Sequence, residues 1–376
     1  MRRRTFLGVT AALAGSGYDA AAGSADNWMT RRWKVDSCCV LPRGAPNEYD
    51  GSVVGDPCIV WDDEVHTWRM FYFAGAGKDH EATPSRWTIA GMALSKSAEE
   101  VAPGDWAKAG PVPLADTPGK RRGHKFWVVM DPLRVNRAAK IRGRYWGLHV
   151  SGASKHIYAV SAERLAGPWT CVEKPILSPN TEGAAPDGKH CDTPTAFWFE
   201  DLGKVLIFYK AYPLRPQTGQ PNSPFGSSSI VAYWRPGEAS ANKRHQILIP
   251  GKGSEFCRGW VGGVQLLRDS RSSRWYALLN GSPTPPEDTS NREPPPSLGG
   301  WAVCKGADAD GTWEVDAKHS PILRPDQLTA TEVKAGMGVN FWRHHLLVTP
   351  TGRARIFFNS GKYGTEQMYS MIAEPG

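Results

Sequence analysis

The stretch GKHCDTPTAFWFEDLGKVLIFYKAYP, residues 188–213, contains the unit from which the fold is predicted. Two apolar runs, TAFWF and KVLIFYKAY, flank the segment EDLGK. Runs rich in β-branched and aromatic residues, separated by a short glycine-containing turn, are typical of a β-hairpin. His190, Cys191 and Asp192 stand directly before the first run. The stretch therefore predicts a hairpin whose first strand begins at a polar, ionisable cluster.

The second strand of this hairpin has counterparts along the whole chain. A basic residue followed by an apolar run recurs 60 to 79 residues apart, and each run has another apolar run before it and a third after it. The first four units also contain a fourth strand-like run. Regular recurrence at a fixed period indicates a repeat architecture. The recurring runs are RMFYFAGAG from 69, RYWGLHVSG from 144, KVLIFYKAY from 204, RWYALLNGS from 274 and RARIFFNSG from 353.

The N-terminal segment supplies the strand that the fifth unit lacks. RWKVDSCCVL, from residue 32, has the same Trp-x-Val-Asp pattern as TWEVD, from residue 312 in the fourth unit. Shared closure of this kind belongs to a β-propeller, whose radial repetition protects the sheet edges. We therefore predict an all-β fold, a five-bladed β-propeller with four antiparallel strands per blade, in which the N-terminal strand completes the last blade. A large sandwich and two separate β domains are the alternatives.

The extreme N-terminus resembles an export signal. MRRRTFLGVTAALAGSG combines three arginines with a short, weakly apolar stretch, and RRTFLG resembles the twin-arginine signal of bacterial proteins that are exported already folded. Small residues at 20–25 offer cleavage points. We predict an export signal peptide over residues 1–25, one propeller domain over residues 26–376, and a periplasmic or secreted location. No stretch is long and apolar enough to predict an integral membrane span.

Composition narrows the classes of partner and cofactor. The formal charge is +8, but the basic residues are scattered, whereas nucleic-acid binding usually needs a clustered basic surface. The sequence therefore predicts no nucleic-acid partner, while an anionic substrate is compatible with the charge. Seven cysteines are present, an odd number that leaves disulfide pairing open, and the absence of any Cys-x-x-Cys pair argues against zinc.

Ionisable residues near the start of each predicted inner strand indicate a polar ring. The first strand of each propeller blade lines the central channel, so residues at the same end of these strands converge. Carboxylates that face one cavity suit glycosidic cleavage, with one acting as general acid and another as base or nucleophile. Trp127, Trp198 and Trp260 offer flat faces to sugar rings, or else pack between blades. The predicted ring consists of Asp56, His124, Lys125, His190, Asp192, Glu255, Arg258, Trp260, Glu332 and Lys334.

The five-blade layout and three short motifs resemble the five-bladed glycoside hydrolases of family 43, family 32 and their relatives. The motifs are GDP at 55–57, GPW at 167–169 and CDTPTAFWFEDLGKVLIFY at 191–209. The resemblance implies that Asp56 is the base or nucleophile, that Asp192 orients the substrate and tunes the acid, and that Glu255 is the general acid.

The fourth unit departs from the pattern of that group. SEFCRGW, residues 254–260, stands where the group carries a Glu-Gly-Pro phrase. Glu332, His190 and His124 therefore remain alternatives for the acid, and a histidine acid is known in a related branch that acts on algal anhydro-sugars.

These observations predict an exported glycoside hydrolase that cleaves oligo- or polysaccharides. A non-catalytic carbohydrate-binding propeller is the alternative, and a phosphorylase or transferase would need a phosphate pocket, for which Arg121, Arg122, Lys125 and Arg258 are available. No cofactor or catalytic metal is required. A structural calcium ion at the channel centre, which relatives sometimes hold, is compatible with the fold, although no ligand spacing demands it. The predicted substrate-binding residues are His124, Lys125, Trp127, His190, Arg258, Trp260 and Glu332.

Overall fold

The computed structural model describes eight stretches of the chain, and almost all of their regular structure is β-strand. The described residues are 28–79, 88–115, 124–151, 155–182, 184–214, 225–251, 254–284 and 296–374. The only α-helix in these ranges is Ala330–Lys334, and 3-10 turns occur at Trp28–Thr30, Glu255–Cys257 and Pro325–Gln327. None of the helices in these ranges has the length and apolar character needed to cross a membrane.

The strands form five sheets, which are the blades of a five-bladed propeller. Blade five contains β1 (Trp33–Val35) with three strands from the C-terminal end. Blade one contains β2 (Val53–Asp62), β3 (Thr67–Gly75), β4 (Thr88–Ser95) and β5 (Trp106–Pro111). Blade two contains β6 (Leu114–Ala115), β7 (His124–Val128), β8 (Lys140–Ile141), β9 (Arg144–Ser151), β10 (His156–Ala162) and β11 (Trp169–Cys171). Blade three contains β12 (His190–Phe199), β13 (Lys204–Tyr212), β14 (Ser228–Trp234) and β15 (Asn242–Leu248). Blade four contains β16 (Trp260–Arg268), β17 (Trp275–Ser282), β18 (Leu298–Cys304) and β19 (Trp313–Val315). The remaining strands of blade five are β20 (Phe341–Val348), β21 (Ala354–Ser360) and β22 (Gln367–Ala373).

The predicted closure of the propeller is confirmed. β1 pairs antiparallel with β22, with Trp33 opposite Ala373 and Val35 opposite Met371, so the N-terminal strand completes blade five. Four of the five sheets have four strands, as predicted, whereas the sheet of blade two has six. There the short β6 pairs parallel with the outer strand β11, and β8 pairs with β9. The prediction of four strands per blade is therefore too simple for blade two.

Large apolar side chains fill the space between neighbouring blades. Phe71 of blade one stacks on Phe126 of blade two, with ring centroids 4.9 Å apart, and Trp169 meets Phe126 edge-on at 5.1 Å. The inner strands are buried on both faces because each blade packs between two others. This double burial explains why these strands are nearly continuous apolar runs rather than alternating patterns.

Polar side chains join the innermost strands around the channel. The Gln265 side chain pairs with both backbone groups of Leu346, at 2.6 Å to the nitrogen and 2.9 Å to the oxygen, and so ties blade four to blade five. The Ile59 backbone N–H donates to Nε2 of His345, which ties blade one to blade five. Burial lowers the pKa of His345 to about 3, so its ring is neutral and can accept this bond. The channel strands are thus held in fixed positions relative to each other.

The seven cysteines all lie in the described residues, and all are free thiols. Cys58, Cys191, Cys257 and Cys304 are buried. Burial raises the pKa of the Cys58 thiol to about 12, which disfavours the reactive thiolate. These buried thiols pack as small apolar side chains.

Candidate active site

Each of the five inner strands is interrupted by a β-bulge near its start. The register shifts lie between Gly55 and Cys58, His124 and Trp127, Asp192 and Thr195, Gly262 and Gln265, and Trp342 and His345. One residue inside each bulge has a positive φ, and all five of these residues line one cavity at the end of the channel. A bulge inserts one residue and re-aims a side chain, so the repeated bulge builds a ring from five equivalent positions. The ring residues are Asp56 (φ 48°), Lys125 (φ 52°), Thr193 (φ 51°), Gly263 (φ 69°) and Arg343 (φ 45°).

The cavity inside this ring is small and strongly polar. Its volume is about 70 Å³. Asp56 is the one carboxylate among its described lining residues, which also include three cationic side chains. Two aromatic rings, Trp260 and Trp342, stack on each other with centroids 5.9 Å apart and form part of the wall. The lining outside the ring consists of Lys210, Tyr212, Trp260, Gly262, Asn280 and Trp342.

Asp192 lies directly behind the ring and organises it. Its side chain is fully buried, and its Oδ2 accepts from Nζ of Lys125 at 3.0 Å and from Nζ of Lys155 at 2.7 Å. The Tyr212 hydroxyl also donates to Oδ2, at 3.4 Å. Burial, the largest single influence, lowers the pKa of both lysines, but the carboxylate of Asp192 together with smaller contributions from groups such as Asp56 outweighs it, and the pKa of each lysine is raised. Both ammonium groups therefore stay charged around this carboxylate.

Asp56 faces the cavity beside one of these ammonium groups. Its Oδ2 lies 3.9 Å from Nζ of Lys125, and its side chain is 12% exposed. The Asp56 backbone N–H donates to Oδ1 of Asn359 at 3.2 Å, which fixes the bulge against blade five. Aspartate tolerates the left-handed backbone conformation better than most residues, which suits it to this bulge. The geometry presents a partly exposed carboxylate next to a partly exposed cation.

A second carboxyl group, which the sequence did not indicate, lies near Asp56. Glu366 precedes β22, and its backbone carbonyl accepts from the N–H of Val54 at 3.0 Å, so it sits where blade five meets blade one. Glu366 is buried, and its Oε2 has no hydrogen-bond partner among the described residues. Burial, with a smaller contribution from the negative charge of Asp56, raises the pKa of Glu366 from 4.5 to about 7. Glu366 therefore holds its proton up to near-neutral pH.

Glu366→Gln should stabilise the protein at pH 8 and leave its stability unchanged at pH 4. Because the folded-state pKa of Glu366 is raised, its contribution to the free energy of unfolding falls as pH rises from 4.5 to about 7. The neutral amide avoids this loss, which amounts to roughly 3 kcal/mol above pH 7. Urea unfolding at the two pH values measures the difference, with the exposed Glu182→Gln as the control. An equal effect at both pH values would show that Glu366 does not titrate in this way.

Several of the predicted site residues come together, and others form the support below them. Lys125 and Trp260 line the cavity with Asp56, and Asp192 holds Lys125 from behind. Trp127 is buried beneath the ring, where the Arg343 guanidinium lies 5.1 Å from its ring centroid, so it belongs to the core. His190 is buried against the ring of Tyr212 at 5.4 Å. The side chain of His124, together with Arg121 and Arg122, lies outside the described residues.

In blades four and five the predicted ionisable ring residues do not line the cavity, and Trp260 is the predicted residue of these blades that does. Glu255 begins a 3-10 turn before β16, and both Glu255 and Arg258 are exposed. Glu332 is half-buried in the short helix, where its carboxylate accepts from the backbone N–H and the hydroxyl of Thr329 and so caps the helix. The ring positions of blades four and five therefore lie farther along the chain than Glu255, Arg258 and Glu332, the residues that the sequence predicted there. The bulges of these blades lie inside the strands, and they present Gly263 and Arg343 instead.

The cavity does not fit a calcium ion. Calcium takes six to eight oxygen ligands, commonly from several carboxylates. The described lining provides the carboxylate of Asp56 together with the cationic side chains of Lys125, Lys210 and Arg343, which repel a metal ion. Within the described ranges, no group of three or more His, Cys, Asp and Glu side chains is arranged to hold a metal.

Comparison with known proteins identifies the fold through structure and not through sequence. No family model matches the sequence, and a search of curated proteins also gives no match. A family 130 structure, from a family of mannoside phosphorylases that contains glycoside hydrolases targeting β-1,2 mannosidic linkages in Candida mannan, matches with a TM-score of 0.62 and 12% identity. The match covers 93% of this chain and 98% of that one.

Two further solved structures give the same result. The catalytic domain of a family 62 α-L-arabinofuranosidase from Coprinopsis cinerea matches with a TM-score of 0.59 at 10% identity, over 92% of this chain and 98% of that one. A family 117 glycoside hydrolase from the marine bacterium Zobellia galactanivorans matches with a TM-score of 0.56 at 10% identity, over 92% of this chain and 91% of that one. The chain therefore shares the five-bladed propeller fold of these glycoside hydrolases.

Proposed function

We propose that the protein is a glycoside hydrolase of oligo- or polysaccharides, with its active site in the cavity at the end of the channel. The observation that carries the proposal is Asp56, a carboxylate that a bulge presents to the cavity beside Lys125. Cleavage of a glycosidic bond needs a carboxylate that activates water or attacks the anomeric carbon, and a second group that protonates the leaving oxygen. The similarity in fold to glycoside hydrolases agrees with this chemistry.

In this proposal Asp56 is the base or nucleophile, and Asp192 is a positioning residue. Asp192 is fully buried and keeps Lys125 charged and in place next to Asp56. Asp192 thus acts on the reacting carboxylate through Lys125 rather than by touching the substrate.

We assign the proton donor to Glu366 rather than to Glu255. A general acid must hold a proton at the working pH and lie close to the base, and Glu366 combines a pKa of about 7 with a position beside the Asp56 strand. Glu255, by contrast, is exposed in the turn before β16. Glu366 is not among the described residues that line the cavity, so this role requires the leaving oxygen of the bound sugar to reach its carboxyl group where blade five meets blade one.

Leaving-group dependence tests this mechanism. Glu366→Gln should lower kcat/KM for an oligosaccharide, whose leaving alcohol needs a proton, by about 10²-fold or more. The same variant should lose far less activity on a nitrophenyl glycoside of the same sugar, because nitrophenolate leaves without protonation. Glu255→Gln is the matched control and should retain activity on both substrates. Equal losses on both substrates in Glu366→Gln would remove Glu366 from the acid role.

The second candidate is a carbohydrate-binding propeller without catalysis. The observation that favours it is that Asp56 is the single carboxylate among the described residues that line the cavity. Retained binding of glycans, with no release of reducing sugar from any of them, would support this candidate.

We also propose export through the twin-arginine route, for which the N-terminal sequence is the support. Residues 1–27 lie outside the described residues.

A further inference from the structure

The cavity and its immediate support carry more positive than negative charge. The carboxyl groups are Asp56 in the lining, Asp192 behind it, and Glu366, which lies outside the lining near Asp56 and has a pKa of about 7. Lys125 and Lys155 pair with Asp192, and Lys125 also lies near Asp56, so these four groups balance each other. Two further cations, Lys210 and Arg343, line the same cavity.

Lys210 has no negatively charged partner. Its side chain is 5% exposed and lines the cavity, and it forms no ion pair within the described ranges. Its Nζ lies 3.3 Å from the ring centroid of Trp260, and this ring face attracts an ammonium group but carries no net charge. Burial lowers the pKa of Lys210 well below its usual value, and the charges of Asp192 and Asp56 offset this only in part.

Arg343 also forms no ion pair with a carboxylate of the described residues. Its guanidinium donates to the backbone oxygens of Thr193 at 3.2 Å and Pro194 at 3.0 Å, which fix its position but do not neutralise it. The side chain is 4% exposed. A buried charge is costly unless an opposite charge compensates it, so the pair of cations creates a site with a preference for an anion.

Two glycines shape the cavity beside these cations. A Cβ at Gly262 would lie 2.8 Å from Cγ of Lys210, so the glycine lets the lysine stem lie against the strand. Gly263 is the one ring position without a side chain, and a Cβ there would lie 3.6 Å from Cδ of Arg343 and 3.4 Å from Oδ1 of Asn280. The space between Arg343 and Asn280 therefore remains free of protein side chain at the ring position of blade four.

We infer that the cavity binds the negatively charged group of an acidic sugar, with Lys210 and Arg343 as the residues that recognise the anion. The carboxylate of a uronic acid is the simplest such group, because it can accept from the guanidinium and the ammonium together. The inference rests on the proposed function, since it names the class of sugar that the same cavity receives. Neutral sugars would leave Lys210 and Arg343 without compensation.

The test compares binding of acidic and neutral sugars by calorimetry at pH 8. The probes are oligomers of galacturonate and of galactose of equal length, with inorganic phosphate alone as a third. The wild-type chain should bind the galacturonate oligomer about tenfold more tightly or better, the advantage expected for a hydrogen bond to a charged group.

Lys210→Met should remove the preference, and Lys210→Arg should keep it. Equal affinity of the wild-type chain for the two oligomers would overturn the inference, whether or not either variant folds. Binding of phosphate with no preference for the acidic oligomer would also overturn it, because the anion would then not belong to the sugar. Hydrolysis of the neutral oligomer alone would overturn the inference and leave the proposed function standing. Preferred binding of the acidic oligomer without hydrolysis would support the inference and count against the proposed function.

Discussion

Asp192→Asn should lower the free energy of unfolding by about 3 kcal/mol, because it removes the anion that compensates two largely buried ammonium groups. Lys125 and Lys155 both bond to its Oδ2, and their side chains are only 19% and 30% exposed. An asparagine has nearly the same shape, so the loss reports on charge and not on volume. Urea unfolding at pH 7 measures it, and Asp201→Asn, in an exposed hairpin turn, should stay within about 0.5 kcal/mol of the wild type.

A double variant separates this charge effect from a general disturbance of the fold. Adding Lys155→Met to Asp192→Asn removes one of the two uncompensated charges. The double variant should therefore be less destabilised than the sum of the two single variants. Strict additivity, or an Asp192→Asn variant as stable as the wild type, would contradict the role given to Asp192.

Asp56→Asn should lower kcat/KM by about 10²- to 10⁴-fold with little effect on folding. The carboxylate is the base or nucleophile of the proposed reaction, and an amide can act as neither. Residue 56 has a φ of 48°, and asparagine adopts this conformation readily, so the bulge should be preserved. Steady-state kinetics on the best substrate measure the loss, and thermal unfolding checks the fold.

The exposed Asp201→Asn is the control for activity as well, because it lies in the turn between β12 and β13, at the opposite end of those strands from the cavity. Its kcat/KM should equal that of the wild type. Unchanged kcat/KM in Asp56→Asn would remove Asp56 from the chemistry.

The number of blades and their closure could be predicted from sequence because each blade is buried on both faces. Such strands become long apolar runs that stand out from the turns, as KVLIFYKAY does in β13. The closing strand was recognisable because its Trp-x-Val pattern occupies the same outer position in blades four and five. The additional short strands of blade two gave no such signal, since β6 and β8 contain two residues each.

Only part of the ring could be predicted, because the β-bulge that fixes each ring position lies inside a strand. In blades one and two the ring residue itself stands in the phrase used for the prediction, GDP for Asp56 and GHKFW for Lys125, so both residues were predicted. In blades four and five the predicted ionisable residues stand ahead of the strand, which begins at Trp260 and at Phe341, whereas Asp56 and Lys125 lie inside their strands. A better signal is the pair of apolar residues three and four positions after each ring residue. These pairs are Ile59-Val60, Val128-Val129, Ala196-Phe197, Leu266-Leu267 and Leu346-Leu347.

Two functional features depend on tertiary structure alone. Glu366 stands in the phrase GKYGTEQMY, which has no pattern that distinguishes it from a surface turn, and only the packing of blade five on blade one buries it. Lys210 lies in an apolar run, where a single lysine is commonly read as one that extends to solvent. Its contact with Trp260 of the next blade brings it into the cavity instead.

The most direct test of the central claim is release of reducing sugar by the purified chain from a panel of neutral and acidic plant and algal oligosaccharides, with Asp56→Asn assayed in parallel. The account predicts that the wild-type chain releases sugar from at least one member of the panel and that Asp56→Asn does not. Equal release by both proteins would contradict the site. Absence of release from every member, together with retained glycan binding, would contradict the hydrolase and favour the binding propeller.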